Sequence, residues 1–520
     1  MLWIALHLPL LSLESFATTL AQEQAHQPLA LMDAQQIVSA NPAALALGVR
    51  PGSRRATALA LAPQILLGQA DAARDAQALA AVAFAALAFT PAVSLQARDD
   101  GRADTVLLEV QASLRYFGGL ERLLQRLHAT LVPLGHRVHF ASAPTPLGAA
   151  LLARVHRRSH CADLAALQQA LEAGPVWLLG PGREHWEALQ GMGLRTLADL
   201  RKLPRAGLAR RFGQVLLAEL DAAFGERPDP REALVLPAQF ECRLELFARA
   251  DTTAQVLHGA GVLLARLVAW LAAQHAMVRS FTLAMQHEPR WRADAQVPGH
   301  TALAIALAEP SRDAVHLQTL LRERLASLQL PAPTLELRLR AGEIVQRTPP
   351  NTELFPTAAS EHEGLVRLVE RLQARLGPAQ VQRLRQVHDH RPECASEILS
   401  ADPAAAGLRR ARAPRAARAA APGPDNASSR ASTSIRPVWL LSPPEPLIER
   451  DLRPWLDGRP LQLLSGPERI ESGWWDHALA ERDYFIAQSA DSALVWVYRA
   501  RLPPGEGEQG SGWFLQGRFG

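Results

Sequence analysis

The feature that most restricts this chain is an alternation of short apolar runs and helical stretches in residues 1–155. Leu2 to Leu8 has the length of a buried strand, and Ser12-Leu13-Glu14-Ser15-Phe16 opens a helix. Val106 to Val110 is a second strand, and Leu114-Arg115-Tyr116-Phe117-Gly118-Gly119 turns into the helix Leu120 to Leu131. Val138 to Ala141 is a third strand, followed by the helix Pro146 to Val155. Strand and helix in alternation put helices on a sheet. Two segments imitate membrane signals. Leu2 to Leu13 has no basic residue before it and is interrupted by His7, and the alanine-rich run Ala78 to Ala88 is shorter than the roughly 20 residues of a spanning helix. Both are expected inside a soluble, cytoplasmic protein.

Charge is local. The 520 residues carry a net +4, while Arg183 to Gly213 alone holds seven basic residues against three acids, and Pro403 to Arg436 holds seven Arg against Asp425. The remainder is mildly acidic, which fits a soluble protein with two cationic places and not a general polycation. Lys202 is the only lysine, which excludes a P-loop and nearly every lysine nucleophile. Cys161, Cys242 and Cys394 are odd in number and far apart, so no disulfide framework is expected.

The first cationic place contains a turn. Leu189 closes one helical run, and Thr196 opens another with Leu197, Leu200 and Leu203 at helical spacing. Gly191-Met192-Gly193 lies between them, where glycine tolerates positive φ. Such a turn is expected to expose N–H groups beside a helix N-terminus, a place for a phosphate. The stretch resembles the helix-hairpin-helix of DNA-repair proteins. Its candidate DNA contacts are Gly191, Gly193, Arg195, Thr196, Lys202 and Arg205. An ordinary helix–turn–helix corner in a core is the alternative.

From Phe240 the order is strand, helix (252–275), strand (277–287), strand (301–308), helix (313–327), strand (334–340). Arg279, Arg338 and Arg340 either face a DNA backbone or belong to a solvated sheet face with paired charges. Thr348 to Pro356 is proline-flanked and extended, and it carries an exposed Leu354-Phe355 pair that asks for a pocket. Ser360-Glu361-His362-Glu363 is a capping box opening a helix whose apolar stripe is Leu365, Leu368, Val369, Leu372 and Leu376. His388 to Cys394 reads as a turn that packs this region onto the body, not as a metal site. Pro403 to Arg436 reads as a flexible basic linker. Six of the 11 tryptophans follow it, among short strands and Gly, Pro and Asp turns, so the tail is a small β-rich module. Trp474, Trp475, Arg482 and Tyr484 are its candidate partner contacts, although aromatics also build small cores.

Taken together, these stretches resemble the Y-family DNA polymerases. Gly48 to Pro63 is similar to their fingers motif, residues 106–131 to the palm, the hairpin after Val176 to the thumb, and the order from Phe240 to the little finger. Within that family, Tyr116-Phe117-Gly118-Gly119 and the tail around Trp474-Trp475 are similar to a polymerase-like component of bacterial mutasomes. The resemblance places Ala5 and His7 on two aspartates of the family's first motif, and Asp104-Thr105 on its paired Asp-Glu. Nucleotidyl transfer needs two Mg²⁺ ions roughly 3.5–4 Å apart, held by several carboxylates. Of these four acidic positions only Asp104 keeps a carboxylate, in a turn rich in Asp and Gly, where a solvated loop acid is expected. Pro42 and Leu45 stand where the family's triphosphate-binding Tyr and Arg belong, and Ala143 to Leu147 replaces a basic segment with an uncharged one. Charge stabilisation and positioning are most of phosphoryl chemistry, and both are missing. The segment Asn351 to Phe355 resembles the Gln-x-x-Leu-Phe peptide that binds sliding clamps, with Asn351 in place of Gln and Leu354 and Phe355 as anchors.

The expectation is therefore an α+β multidomain protein. It comprises a palm and fingers at 1–170, a thumb with the helix-hairpin-helix at 171–230 and a βαββαβ little finger at 231–345. A clamp-binding segment with a helical extension (346–402), the basic linker (403–436) and a partner-binding module (437–520) follow. The resemblance implies a non-catalytic adaptor in damage-induced (SOS) translesion synthesis, without a cofactor or resident metal. Its implied partners are primer–template DNA, the sliding clamp, an error-prone C-family polymerase and a small RecA-like protein, at the nucleoid and not at a membrane. An active low-fidelity polymerase with rearranged metal ligands, using Mg²⁺, is the alternative.

Overall fold

A computed structural model describes residues 1–21, 24, 26–97, 101–288, 298–346, 358–401, 436–501 and 512–519. It divides into two compact units, Met1–Arg375 and Leu376–Gly520.

The first unit begins with β1 (Trp3–His7) and α1 (Leu11–Ala17). A small lobe follows: β2 (Leu29–Asp33), β3 (Gln36–Ala40), α2 (Pro42–Ala46), α3 (Arg55–Leu61) and β4 (Leu66–Gln69), with strand order β3-β2-β4. The chain then returns through α4 (Ala72–Leu87), β5 (Val93–Ala97), β6 (Ala103–Glu109), α5 (Leu114–Phe117), α6 (Leu120–Leu131), β7 (His139–Ala143), α7 (Pro146–Val155) and β8 (Arg158–His160). These strands make one sheet in the order β5-β6-β1-β7-β8. The alternation read from the sequence is this sheet, and α4 is its alanine-rich run. Small side chains let α4 lie close, and Ala78, Ala81, Val82, Ala85 and Ala86 share a core with Ile4, Leu6, Val106 and Leu108.

The opposite face of the sheet carries α7 and a helical cluster. It contains α8 (Leu164–Glu172), α9 (Gly180–Glu184), α10 (Trp186–Gly191), α11 (Leu197–Arg201), α12 (Arg205–Phe212) and α13 (Gln214–Phe224). Ala5 and Leu107 join Leu189, Leu197, Leu200 and Leu220 in its core. Each fully buried Leu contributes about 1.5–3 kcal/mol relative to exposure.

Next come β9 (Glu241–Ala250), α14 (Thr253–Ala273), β10 (Ala276–His287), β11 (His300–Ser311), α15 (Ala314–Ala326), β12 (Thr334–Ala341) and β13 (Ile344–Gln346). The chain order is the strand–helix–strand–strand–helix–strand read from the sequence, and the sheet runs β11-β10-β12-β9. Helix α14 is long and apolar enough to cross a membrane, but it is a core helix here. Thr252 and Gln255 cap it reciprocally, Trp270 is fully buried, and Ala269 reaches the core between α4 and the first sheet. Helix α16 (Ala358–Leu376) docks on α15 through Arg367–Asp313, Arg371–Glu323 and His316–Glu370 pairs.

The second unit holds the hairpin β14 (Gln382–Gln386) and β15 (Ser396–Ser400), then β16 (Trp439–Pro446), β17 (Ile448–Arg450), β18 (Arg453–Leu456), β19 (Arg459–Pro460), β20 (Gln462–Ser472), β21 (Ala480–Gln488), β22 (Leu494–Ala500) and β23 (Trp513–Arg518). The main sheet is β16-β23-β22-β21-β20. The hairpin, read from sequence as part of the 346–402 extension, belongs to this unit. Arg391 ties it there: its guanidinium binds the carboxylates of Asp389 and Asp476 and the carbonyl of Ala478. The expectation that His388 to Cys394 packs onto the polymerase-like body is corrected accordingly.

Candidate functional site

Antiparallel pairing of β1 with β6 sets Ala5 opposite Leu107 and His7 opposite Thr105, and pairing with β7 sets His7 opposite His139. Ala5 is sealed in the core. Asp104 is not the solvated loop acid expected from its neighbours. It belongs to β6, because its carbonyl accepts from Leu8 N and extends the ladder past the turn. Its carboxylate is largely buried and accepts from Thr105 Oγ1 at 2.8 Å. Arg154 Nη2 of α7 stands 3.3 Å away and His7 Nδ1 3.6 Å away. Burial opposes the charge, but the His7 bond, the Arg154 and His7 charges and the Thr105 hydroxyl outweigh it and hold the carboxyl far below its usual range. His139, across from His7, is pushed down by burial.

A two-magnesium cage needs convergent carboxylates. Among the described residues no group of three His, Cys, Asp or Glu side chains is placed to hold a metal ion. Asp104, the acid described at this end of the sheet, already has a guanidinium partner, so the described residues do not fit the metal pair. The nucleotide positions follow suit. Pro42 and Leu45 sit on α2, and Thr145 caps α7 by accepting from Gly148 N inside the core.

The hairpin in the helical cluster is built differently from the expectation. Only Gly193 of the two glycines needs positive φ (79°). The N–H groups of Met192 to Leu197, expected to be free, have acceptors within the chain. Met192 and Leu194 donate to Leu189 O, Gly193 to Gln190 O, and Leu197 to Gly174 O. Arg195 N and Thr196 N both donate to the Asp199 carboxylate, which completes a capping box with Thr196. Arg205 is paired with Asp221, and Arg201 lies between Glu226 and Glu172. Lys202 is 76% exposed with Asp199 3.9 Å away, and Arg195 is exposed beside it. The cationic surface is therefore narrower than the sequence count of seven. A second Gly-x-Gly, Gly180-Pro181-Gly182, opens α9. A Cβ on Gly182 would come within 2.2 Å of Val176 O, so only glycine fits. The Leu179-Gly180-Pro181-Gly182 string was the sign available, with Pro suited to a first helical turn.

On the β9–β12 face the arginines are paired as well. Arg340 and Arg338 reach Glu241 at 3.0 and 3.6 Å, and Arg279 reaches Glu343 at 3.4 Å. In the second unit the four partner candidates separate. Trp474 and Trp475 project from the β20–β21 turn, 76% and 50% exposed, edge to face at 5.6 Å. Tyr484 is 1% exposed, stacked on Trp496 with its hydroxyl 2.6 Å from Gln516 Oε1. Arg482 binds the Tyr484 hydroxyl and Glu393. Tyr484 and Arg482 are interior framework, which corrects their assignment as contacts.

No family model matches the chain. It is 27% identical over 494 residues to Protein ImuB from two strains of Caulobacter vibrioides, covering 91% of this chain and all of the relative. The chain is an ImuB-like, Y-family polymerase-like protein. Among solved structures it is similar to a Dbh ternary complex at 16% identity, covering 66% of this chain and 98% of that one, with a TM-score of 0.37. DinB from Sulfolobus solfataricus is similar at 15% identity over 66% and 98%, with a TM-score of 0.34. Asn351, Leu354 and Phe355 lie outside the described residues, as do residues 403–435 of the basic linker.

Proposed function

We propose that this chain is a non-catalytic DNA-binding adaptor of damage-induced translesion synthesis. The observation that carries the reading is the Arg154–Asp104 pair: a guanidinium takes the charge a magnesium ion would otherwise share. A guanidinium held against Asp104 has no open coordination positions with which to clamp the attacking and leaving oxygens, as a metal pair does. The adaptor holds primer–template DNA through exposed Arg195 and Lys202, with Gly191, Gly193, Thr196 and Arg205 shaping the hairpin that presents them. It is tethered to the sliding clamp through Leu354 and Phe355, with Asn351 in the place of the usual glutamine. The Trp474–Trp475 corner recruits the protein partners, an error-prone C-family polymerase and a small RecA-like protein. Exposed tryptophans on a fixed turn are the kind of group that dominates protein interfaces.

Primer extension by the purified chain with Mg²⁺ or Mn²⁺ tests the reading. No template-directed incorporation is expected. Incorporation that disappears in Asp104→Ala establishes the active-polymerase alternative instead. Clamp pull-down tests the tether: Leu354→Ala with Phe355→Ala abolishes retention, and unchanged retention removes that assignment.

A further inference from the structure

Away from the palm centre and the hairpin, a cleft of about 290 Å³ opens where α4 meets β9 and α14. Phe16, Gln69, Arg74, Arg243, Phe247 and Arg266 are among its walls. Arg266 is only 4% exposed, and its Nη1 donates to Cys242 Sγ at 3.4 Å. Its Nη2 has no acceptor among the described residues. A thiol is a weak acceptor, and a buried cation without an anion is among the costliest arrangements a fold can hold. Arg74 enters the same cleft. Its Nη2 donates to Gln69 O at 3.0 Å, its Nε lacks an acceptor among the described residues, and its guanidinium lies 5.2 Å from the Phe16 ring centre. Burial pulls the Arg74 pKa down against the upward push of Asp75, Asp71 and Glu245, so those carboxylates do not fully compensate it. Arg243 stands at the rim with Glu336 3.8 Å away, and Phe247, partly exposed, meets Phe16 edge-on at 5.2 Å.

We propose that this cleft is a nucleotide seat, in which a phosphate settles among Arg266, Arg74 and Arg243 and the base stacks on Phe247. Guanidinium groups beside an aromatic face match a phosphate and base of one unit, and the volume is near the lower end for small-ligand sites. The same chemistry is offered by a single DNA strand threading the joint and by a free nucleotide. The strand version rests on the DNA-binding reading above, and the free-nucleotide version does not.

The experiment uses the full chain with a short oligo(dT) strand carrying iododeoxyuridine, and separately with iododeoxyuridine monophosphate. Photo-crosslinking to the β9 peptide at Phe247 is expected, and competition by the monophosphate tells strand from free nucleotide. Phe247→Ala and Arg243→Gln, both at the rim, each weaken the probe's binding by about tenfold. Arg266→Met removes the buried charge at similar volume, so it weakens binding without lowering Tm. A lower Tm with unchanged binding marks Arg266 as structural and overturns the proposal. Duplex binding by the wild type with no crosslink at β9 and unaltered variants also overturns it, while the DNA reading stands. Labelling of Phe247 by the monophosphate in a chain that binds no DNA overturns the DNA reading and keeps the seat.

Discussion

The Arg154 guanidinium stands 3.3 Å from the Asp104 carboxylate, the two joining α7 to β6. Removing one member of a largely buried pair strands the other. Arg154→Gln is expected to cost about 3 kcal/mol, the low end for such a break, since His7 and Thr105 remain. The pH dependence has a definite sign. Asp104 is depressed in the folded chain, so its contribution is present above the unfolded carboxylate value and is lost as pH falls toward the folded one. Urea melts from pH 7 downward should show this acid-side loss in the wild type. In Arg154→Gln the Asp104 share of it shrinks, and in Asp104→Asn it is absent.

The surface of the α10–α12 hairpin separates exposed from committed cations. Lys202→Glu with Arg195→Glu is expected to weaken binding to duplexes of any sequence. The slope of log K against log salt flattens by about 0.9 per lost phosphate contact. Arg205→Ala, whose partner is Asp221, is expected to change DNA affinity less and thermal stability more. Fluorescence anisotropy across a salt series measures the first effect, and a thermal melt measures the second.

Much of the fold was legible because it rests on periodicity. The strands of the first sheet, the alanine-rich helix and the βαββαβ order from Glu241 to Ala341 are patterns of apolar spacing, which survive without knowing what they pack against. What was not legible depends on partners distant in sequence. Asp104 looks like a loop acid beside Gly101 and becomes a strand residue only when Leu8 extends the ladder to it. The N–H groups near Thr196 look free until Asp199 turns back to take them. Tyr484 and Trp474 have the same composition-level claim to an interface. Strand alternation buries one, and the Gly473 turn exposes the other. Charge counts misled for the same reason, since Asp221, Glu226 and Glu172 lie outside the local window or on other helices.

Arg391 is the pin of the second unit. It gathers Asp389, Asp476 and Ala478 O, and lies 5.6 Å from the Trp475 ring centre. The Arg391 hydrogen bond holds Asp389 down to about 2, against the effect of burial. Arg391→Gln is expected to loosen the β14–β15 hairpin from the main sheet, read as faster hydrogen exchange over both strands, with a shift in tryptophan emission. Because Asp389 is depressed, its contribution is present above the unfolded carboxylate value, about 4, and fades as pH falls toward 2. That fading is absent in Asp389→Asn.

Tyr484 and Trp474 test framework against contact within one module. Tyr484→Phe removes the hydroxyl that donates to Gln516 Oε1, and Gln516 is itself fully buried. Leaving that amide oxygen short of a donor is expected to cost about 1–2 kcal/mol in a denaturant melt, with Arg482 3.5 Å away supplying partial relief. Capture of the partner polymerase should be unchanged below the melting range. Trp474→Ala deletes a side chain that projects into solvent, so its melt should stay within about 0.5 kcal/mol of the wild type. Its capture of the partner should fall by tenfold or more, as loss of an interface tryptophan generally causes. A Trp474→Ala chain that melts early and still captures its partner would reverse the two roles.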